Sequence, residues 1–222
     1  MHNVLITGTS RGIGRETALL FLENGCRVYG LDINEATIED DDYRHYQCDV
    51  SDETSLPDID DIDFLVNAAG VQNSGRDIAV NLTGTINVTE KYGVRKGIKA
   101  VVNIASASAH TGAEYPAYSA SKGGIISYTR NVAIRIASYG ATCNSISPGG
   151  VLTASNRPVI EDAELWSEIM ALTPLKKWAT EREIAQWIYF IAVINRSMSG
   201  EDVLVDNGES RLRGCFIWPD GQ

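Results

Sequence analysis

Asn3-Val4-Leu5-Ile6-Thr7-Gly8-Thr9-Ser10-Arg11-Gly12-Ile13-Gly14 decides how this chain is read. Val4 to Ile6 are apolar and suit a short buried strand. Gly8, Gly12 and Gly14 follow at once, and glycine permits a tight turn whose backbone N–H groups approach a pyrophosphate closely. Beyond the turn, Ala18, Leu19 and Leu22 fall at helical spacing over 15–24, and Gly25 is placed as a C-terminal stop. A helix that starts beside such a turn adds partial positive charge for an anion. The spacing is Gly-x-x-x-Gly-x-Gly, not Gly-x-Gly-x-x-Gly. Residues 26–32 read as the next strand and end in Asp32, where a carboxylate can accept hydrogen bonds from the adenosine ribose. A carboxylate there repels a 2′-phosphate, which favours NAD(H) over NADP(H). Arg11 pulls the other way, because arginine in the turn can pair with that phosphate.

Outward from this unit, strands and helices alternate. Further strands are expected at 43–48, 63–67, 100–105, 141–147 and 202–205. Helices are expected at 77–97, 117–139 and 181–195, and a polar, mixed stretch fills 152–180. Such alternation predicts an α/β fold: one doubly wound domain over 1–222, with seven mostly parallel strands flanked by helices.

Composition narrows the function. With 19 Lys and Arg against 29 Asp and Glu, the chain carries a formal charge of −10, which argues against nucleic acid and anionic lipid as partners. No apolar run approaches the roughly 20 residues that span a bilayer. The apolar run at Val4 leaves no room for a signal peptide ahead of it. Cys26, Cys48, Cys143 and Cys215 are scattered, which predicts reduced thiols in a cytoplasmic protein, and dispersed His2, His45 and His110 predict no metal site.

Two Tyr-x-x-x-Lys pairs occur, Tyr92/Lys96 and Tyr118/Lys122. On a helix, residues four apart share a face. A free phenol has a pKa of about 10 and is a poor base at neutral pH, but a nearby ammonium stabilises the phenolate. Tyr118 has Ser106 upstream at a strand end and Pro148-Gly149 downstream, whereas Tyr92 has neither and reads as an exposed or edge-packed residue.

With these motifs in order, the chain resembles a short-chain dehydrogenase/reductase over residues 3 to about 208. The resemblance implies a Rossmann-type domain in which Gly8, Ser10, Arg11, Gly12, Ile13 and Gly14 hold the cofactor. Asp32 would meet the ribose and Asp49-Val50 the adenine. Asn67-Ala68-Ala69-Gly70 would line the cofactor and steady the sheet. Pro148, Gly149, Val151 and Thr153 would hold the nicotinamide carboxamide. Tyr118 would move the proton at the substrate oxygen, with Lys122 lowering its pKa and bonding the nicotinamide ribose. Ser106, favoured over Ser108 because it directly follows Asn103-Ile104-Ala105, would bond the substrate oxygen. Asn81 would hold a water that links Lys122 to solvent.

The implied activity is hydride transfer between NAD(H) and a small-molecule alcohol or ketone, in a homo-oligomer (dimer or tetramer). Alternatives are an NADP(H)-dependent 3-oxoacyl thioester reductase, with Arg130 and Arg135 as a docking patch, and a catalytically silent NAD-binding sensor or scaffold. The segments 51–61 and 70–81 are short for the family, an expected source of an open sheet edge or pocket wall. Candidate pocket residues are Ala107, His110, Tyr115, Gly150, Val151 and Trp166, with 152–180 as a lid. The tail 209–222, with Phe216, Ile217 and Trp218, is expected to pack at a subunit contact or near a pocket.

Overall fold

The computed structural model describes residues 1–113 and 115–212. Its seven strands are β1 (Asn3–Thr7), β2 (Arg27–Asp32), β3 (Tyr43–Gln47), β4 (Phe64–Asn67), β5 (Ala100–Ile104), β6 (Thr142–Pro148) and β7 (Asp202–Val205). They form one sheet in the order β3-β2-β1-β4-β5-β6-β7, and every pairing is parallel. The expected mostly parallel sheet is therefore parallel throughout. Central strands β4, β5 and β6 are buried along their whole length, while the edge strand β3 carries Arg44, His45 and Gln47. That contrast is what a sheet covered on both faces requires, with polar residues left for the edge.

Side chains alternate across the sheet. Val4 and Ile6 point into a core shared with Phe21 of α1 (Gly12–Glu23) and Ile184 and Ile188 of α7 (Glu181–Tyr189). Leu5 points into the opposite core, with Leu65, Val132 and Ile136. The second core is covered by α2 (Gly84–Val88) and α4 (Pro116–Ile136). Wide π-helical turns, Ile78–Thr83 and Thr89–Gly93, extend α2 on both sides, so the expected helix at 77–97 is not one regular element. Its small residues set the close approach: a Cβ on Gly84 would stand 2.7 Å from Val50 Cγ2.

The shortened connector is packed against the sheet by its own apolar side chains. Leu56, Ile59 and Ile62 are buried in the second core, in place of a helix. An extended segment lacks internal backbone partners, and side chains supply them. Lys91 Nζ donates to Leu56 O at 2.7 Å, Arg95 Nη1 to Ile59 O at 3.3 Å, and the Tyr92 hydroxyl to Pro57 O. Tyr92 is thus only 1% exposed, a core residue and not the exposed or edge-packed side chain expected.

Short α3 (Ser108–Thr111) precedes α4, and in the 152–180 stretch α5 (Arg157–Ile160) and α6 (Ala163–Leu172) follow β6. Trp166 of α6 packs edge-on against Trp178, with ring centroids 5.1 Å apart. Cys26, Cys48 and Cys143 are buried and free. No helix among the described residues is long and apolar enough to cross a membrane, and no group of three or more metal-binding side chains forms among them. Cys215 and the tail residues Phe216, Ile217 and Trp218 lie outside the described residues.

Candidate active site

The strand order reverses between β1 and β4, and a cavity of about 640 Å³ opens at the carboxyl ends of the strands there. In a doubly wound sheet this is the crevice where ligands bind. The glycine turn forms one wall. Gly8 has φ +78°, and a Cβ on it would come within 2.9 Å of Ala69 Cα; a Cβ on Gly14 would come within 2.1 Å of Gly8 O. No larger residue fits either place, so the turn is drawn tight enough to present its backbone to a ligand. Thr7 Oγ1 accepts from the N–H groups of Ala68 (3.0 Å) and Ala69 (2.9 Å), which joins the two motif loops.

Asp32 is 8% exposed at the end of β2. Its Oδ2 accepts from Ser10 N at 2.9 Å, and its Oδ1 from Asn34 N and Nδ2, both at 2.9 Å. The carboxylate is therefore fixed in orientation and still lines the cavity, with Arg11, Gly12 and Ile13. Ser10 is turned away, its hydroxyl donating to Glu35 O at 2.7 Å.

On the other side, α4 carries Tyr118 and Lys122 one turn apart, and both line the cavity. Lys122 is 5% exposed and donates to Ile104 O at 2.8 Å. Its Nζ lies 5.7 Å from the centroid of the Tyr118 ring. Burial disfavours the ammonium and lowers its pKa from 10.5 to about 8. Ser106 also lines the cavity. Its Oγ accepts from Ser108 N at 3.2 Å and from Ser108 Oγ at 3.1 Å, so Ser108 stands behind Ser106 as a support.

Asn81 is fully buried behind this wall. Its amide pairs with the backbone of Val71, accepting from N at 2.8 Å and donating to O at 2.9 Å, and donates to Ser121 Oγ at 3.1 Å. Asn67 is likewise set back from the cavity; it donates to Thr89 Oγ1 and Asn103 Oδ1, both at 2.8 Å, which ties β4 to β5. Of its two expected roles, these contacts serve the sheet. Asp49, Val50, Ala68, Ala69, Gly70, Pro148, Gly149, Val151 and Thr153 all line the cavity.

Several pocket expectations fail. Among the described residues on the cavity wall, Ala107, His110, Tyr115, Gly150 and Trp166 are missing. His110 instead bonds Asp202 Oδ2 at 2.7 Å and Arg211 Nη2 at 3.2 Å, and Trp166 is engaged with Trp178. Gly150 lies against the same ring: a Cβ there would fall 2.0 Å from Trp178 Cε2. Conversely, Gln72, Ser74 and Arg76 line the cavity unforeseen. Their only sequence signal was the shortness of 70–81, which draws the segment onto the wall.

Residues 8–210 match the family described as enoyl-(acyl carrier protein) reductase. The chain belongs to the short-chain dehydrogenase/reductase family. It is 32% identical to the 2,3-dihydro-2,3-dihydroxybenzoate dehydrogenase of Escherichia coli, over 94% of this chain and 96% of that protein. The structure of a 4-hydroxyisoleucine dehydrogenase complexed with NADH superposes with a TM-score of 0.85 at 26% identity, covering 96% of this chain and all of that one. A 3-oxoacyl-[acyl-carrier protein] reductase with bound NAD from Brucella melitensis superposes with a TM-score of 0.80 at 25% identity, over 95% and 92% of the two chains. As a short-chain dehydrogenase/reductase, the chain is an oxidoreductase, and its glycine cradle fits a nicotinamide dinucleotide: neither Gly8 nor Gly14 leaves room for a side chain.

Proposed function

We propose that this oxidoreductase transfers a hydride between NAD(H) and a small-molecule alcohol or ketone. The observation that carries the reading is the single cavity shared by the glycine turn, Asp32, Ser106, Tyr118 and Lys122. The dinucleotide supplies the hydride chemistry when bound. Gly8, Gly12, Ile13 and Gly14 would hold its phosphates, Asp32 its ribose, and Pro148, Gly149, Val151 and Thr153 its nicotinamide. Tyr118 gives a proton to the carbonyl oxygen in reduction and takes it back in alcohol oxidation. The Lys122 ammonium favours the phenolate, and Ser106 donates a hydrogen bond to the oxygen as charge develops. Asn81, by holding Val71, supports the wall around Gly70; a Cβ on Gly70 would lie 3.3 Å from Asn81 Oδ1 and 3.6 Å from Lys122 Nζ. The test is a panel of alcohols and ketones followed by NADH absorbance, with Tyr118→Phe beside the parent. Turnover surviving within about tenfold would overturn the acid–base assignment.

The preference for NAD(H) is supported by Asp32, already oriented by Ser10 and Asn34. Asp32→Ala is expected to weaken NADH binding about tenfold and to relax the exclusion of NADPH. An unchanged ratio of the two dissociation constants defeats the ribose argument. The second reading, an NADP(H)-dependent 3-oxoacyl thioester reductase, is favoured by Arg11 on the cavity wall. Its docking patch is weakened, because Arg135 is committed to Glu90 at 2.6 and 2.7 Å. A silent NAD-binding sensor would bind NADH and turn over nothing on the same panel.

We further propose a cytoplasmic homo-oligomer, dimer or tetramer. Trp187, at the end of α7, and Phe190 and Ile194, in the π-helical turn Phe190–Ile194 that follows it, are 43%, 43% and 59% exposed, an apolar strip that a second copy would cover. A monomer in sedimentation equilibrium refutes it. The stretch 152–180 keeps the role of substrate-side lid in this reading.

A further inference from the structure

One wall of the cavity carries a charged group that the motifs do not use. Arg76 Nη2 donates to Asp49 Oδ2 at 2.8 Å and to Ser51 Oγ at 2.7 Å. Ser51 donates to Asp49 Oδ1 from its hydroxyl at 2.7 Å and from its backbone N–H at 2.9 Å. Arg76, Ser51 and Asp49 thus close a ring that grips the carboxylate by both oxygens. The short segment makes this contact possible. Buried Asp77 accepts from Asn73 N at 2.8 Å and Ser74 N at 3.0 Å, and Asn73 takes φ +51°. The chain therefore folds back before Arg76, and a longer excursion would carry the guanidinium away from β3.

An ionised carboxylate has about four lone-pair sites. On Asp49, Ser51 fills two on Oδ1 and Arg76 one on Oδ2. One acceptor direction is left on Oδ2, in a residue of the cavity wall. Partial burial opposes ionisation of Asp49, but the hydrogen bonds from Arg76 and Ser51 outweigh it and hold the carboxyl below the usual range. The Arg76 side chain is half exposed, and an ion pair in that setting contributes little to folding. What it does contribute is orientation.

We propose that Arg76 is a positioning residue for the nucleobase end of the dinucleotide: it fixes Asp49 so that the one remaining acceptor on Oδ2 receives an N–H from the exocyclic amine of a purine. The proposal rests on the dinucleotide reading above. It predicts a specificity for 6-amino over 6-oxo purines that depends on Arg76.

The test is direct binding, without turnover. NADH and reduced nicotinamide hypoxanthine dinucleotide are titrated by fluorescence, and AMP, IMP and nicotinamide mononucleotide by calorimetry. Arg76→Met is expected to weaken NADH and AMP about tenfold while IMP, the hypoxanthine dinucleotide and nicotinamide mononucleotide stay within about twofold. Arg76→Lys restores part of the loss, and Arg76→Met adds nothing to Asp49→Asn. Should Arg76→Met fail to fold, Ser51→Ala opens the ring from the other side with the same amine-selective loss. An equal loss for NADH and the hypoxanthine dinucleotide overturns the proposal, because it makes Arg76 a general attractor for phosphate. So does no loss. A parent protein that binds NADH and AMP without preferring AMP to IMP overturns the proposal alone. One that binds neither overturns the dinucleotide reading and the proposal with it.

Discussion

Tyr92/Lys96 and Tyr118/Lys122 share one spacing and end in opposite environments. In the first pair the phenol is buried, at 1% exposure, and the amine is exposed. In the second the amine is buried, at 5%, and the phenol is half-buried on a cavity wall. The helices differ too. Tyr118 and Lys122 sit inside the continuous α4, whereas Tyr92 lies in the π-helical turn Thr89–Gly93, which ends before Lys96. A four-residue spacing puts two side chains on one face only while a regular helix runs through both. Burial then decides the chemistry. Desolvation pushes the Tyr92 phenol well above its usual range and away from use as a base. At the other pair desolvation falls on the lysine, bringing its pKa toward neutrality beside a phenol that a substrate can reach.

The comparison breaks most directly at Tyr118. Tyr118→Phe keeps the ring and removes the proton, and general acid–base catalysis contributes about a hundredfold to ten-thousandfold. A loss of that size in kcat, with NADH affinity within about threefold, is expected from steady-state kinetics and fluorescence titration.

Lys122 offers the next largest effect, on stability as well as rate. Its pKa is about 8 in the fold, against 10.5 for the ordinary side chain. Below pH 8 both states carry the charge, and the fold bears the full cost of burying it, about 3 kcal/mol at 1.36 kcal/mol per pKa unit. Between pH 8 and 10.5 the folded protein releases the proton first, so the unfolded chain holds more protons and this group's destabilisation fades as pH rises. Lys122→Met is therefore expected to lose activity yet gain about 1–2 kcal/mol at pH 7, after the loss of its bond to Ile104 O. The gain should shrink toward pH 10.5. Denaturant melts across that range check it, and a variant less stable at pH 7 defeats the argument.

The difference between the pairs also marks how far sequence carries. Hydrophobic runs at Val4–Ile6 and Phe64–Val66, punctuated by glycine, made the seven strands and the cavity at the first turn legible, because these signals are local. That Ser106, Tyr118 and Lys122 share one cavity wall was legible from the order of the motifs along the chain, with Ser106 at a strand end and Tyr118 near the start of α4. What stayed hidden depends on contacts between distant residues. Tyr92 is a core residue because its hydroxyl meets Pro57 O, 35 positions away. His110 leaves the pocket because Asp202, 92 positions away, holds it. Arg76 reaches Asp49 across 27 positions, only because the loop between Gly70 and Asn81 is short. Charge pairs of this reach leave no periodicity to read.

Tyr92→Phe is the smallest perturbation and sharpens the comparison from the structural side. The mutation removes one hydroxyl and leaves a buried phenyl ring of nearly the same volume, so no cavity follows. What is lost is the partner of Pro57 O in a connector whose one regular element, the short 3-10 turn Glu53–Ser55, ends before Pro57. A half-buried carbonyl left without a donor costs about 1 kcal/mol. Lys91 and Arg95 still hold the carbonyls of Leu56 and Ile59, so the connector should stay in place. Stability should therefore fall by that amount in denaturant melts, with kcat and NADH affinity unchanged within about twofold. Lys96→Met, at an exposed position beyond the helix end, should change neither. A large loss of turnover in either variant would mean that the first pair shares in the chemistry and that burial does not separate the two.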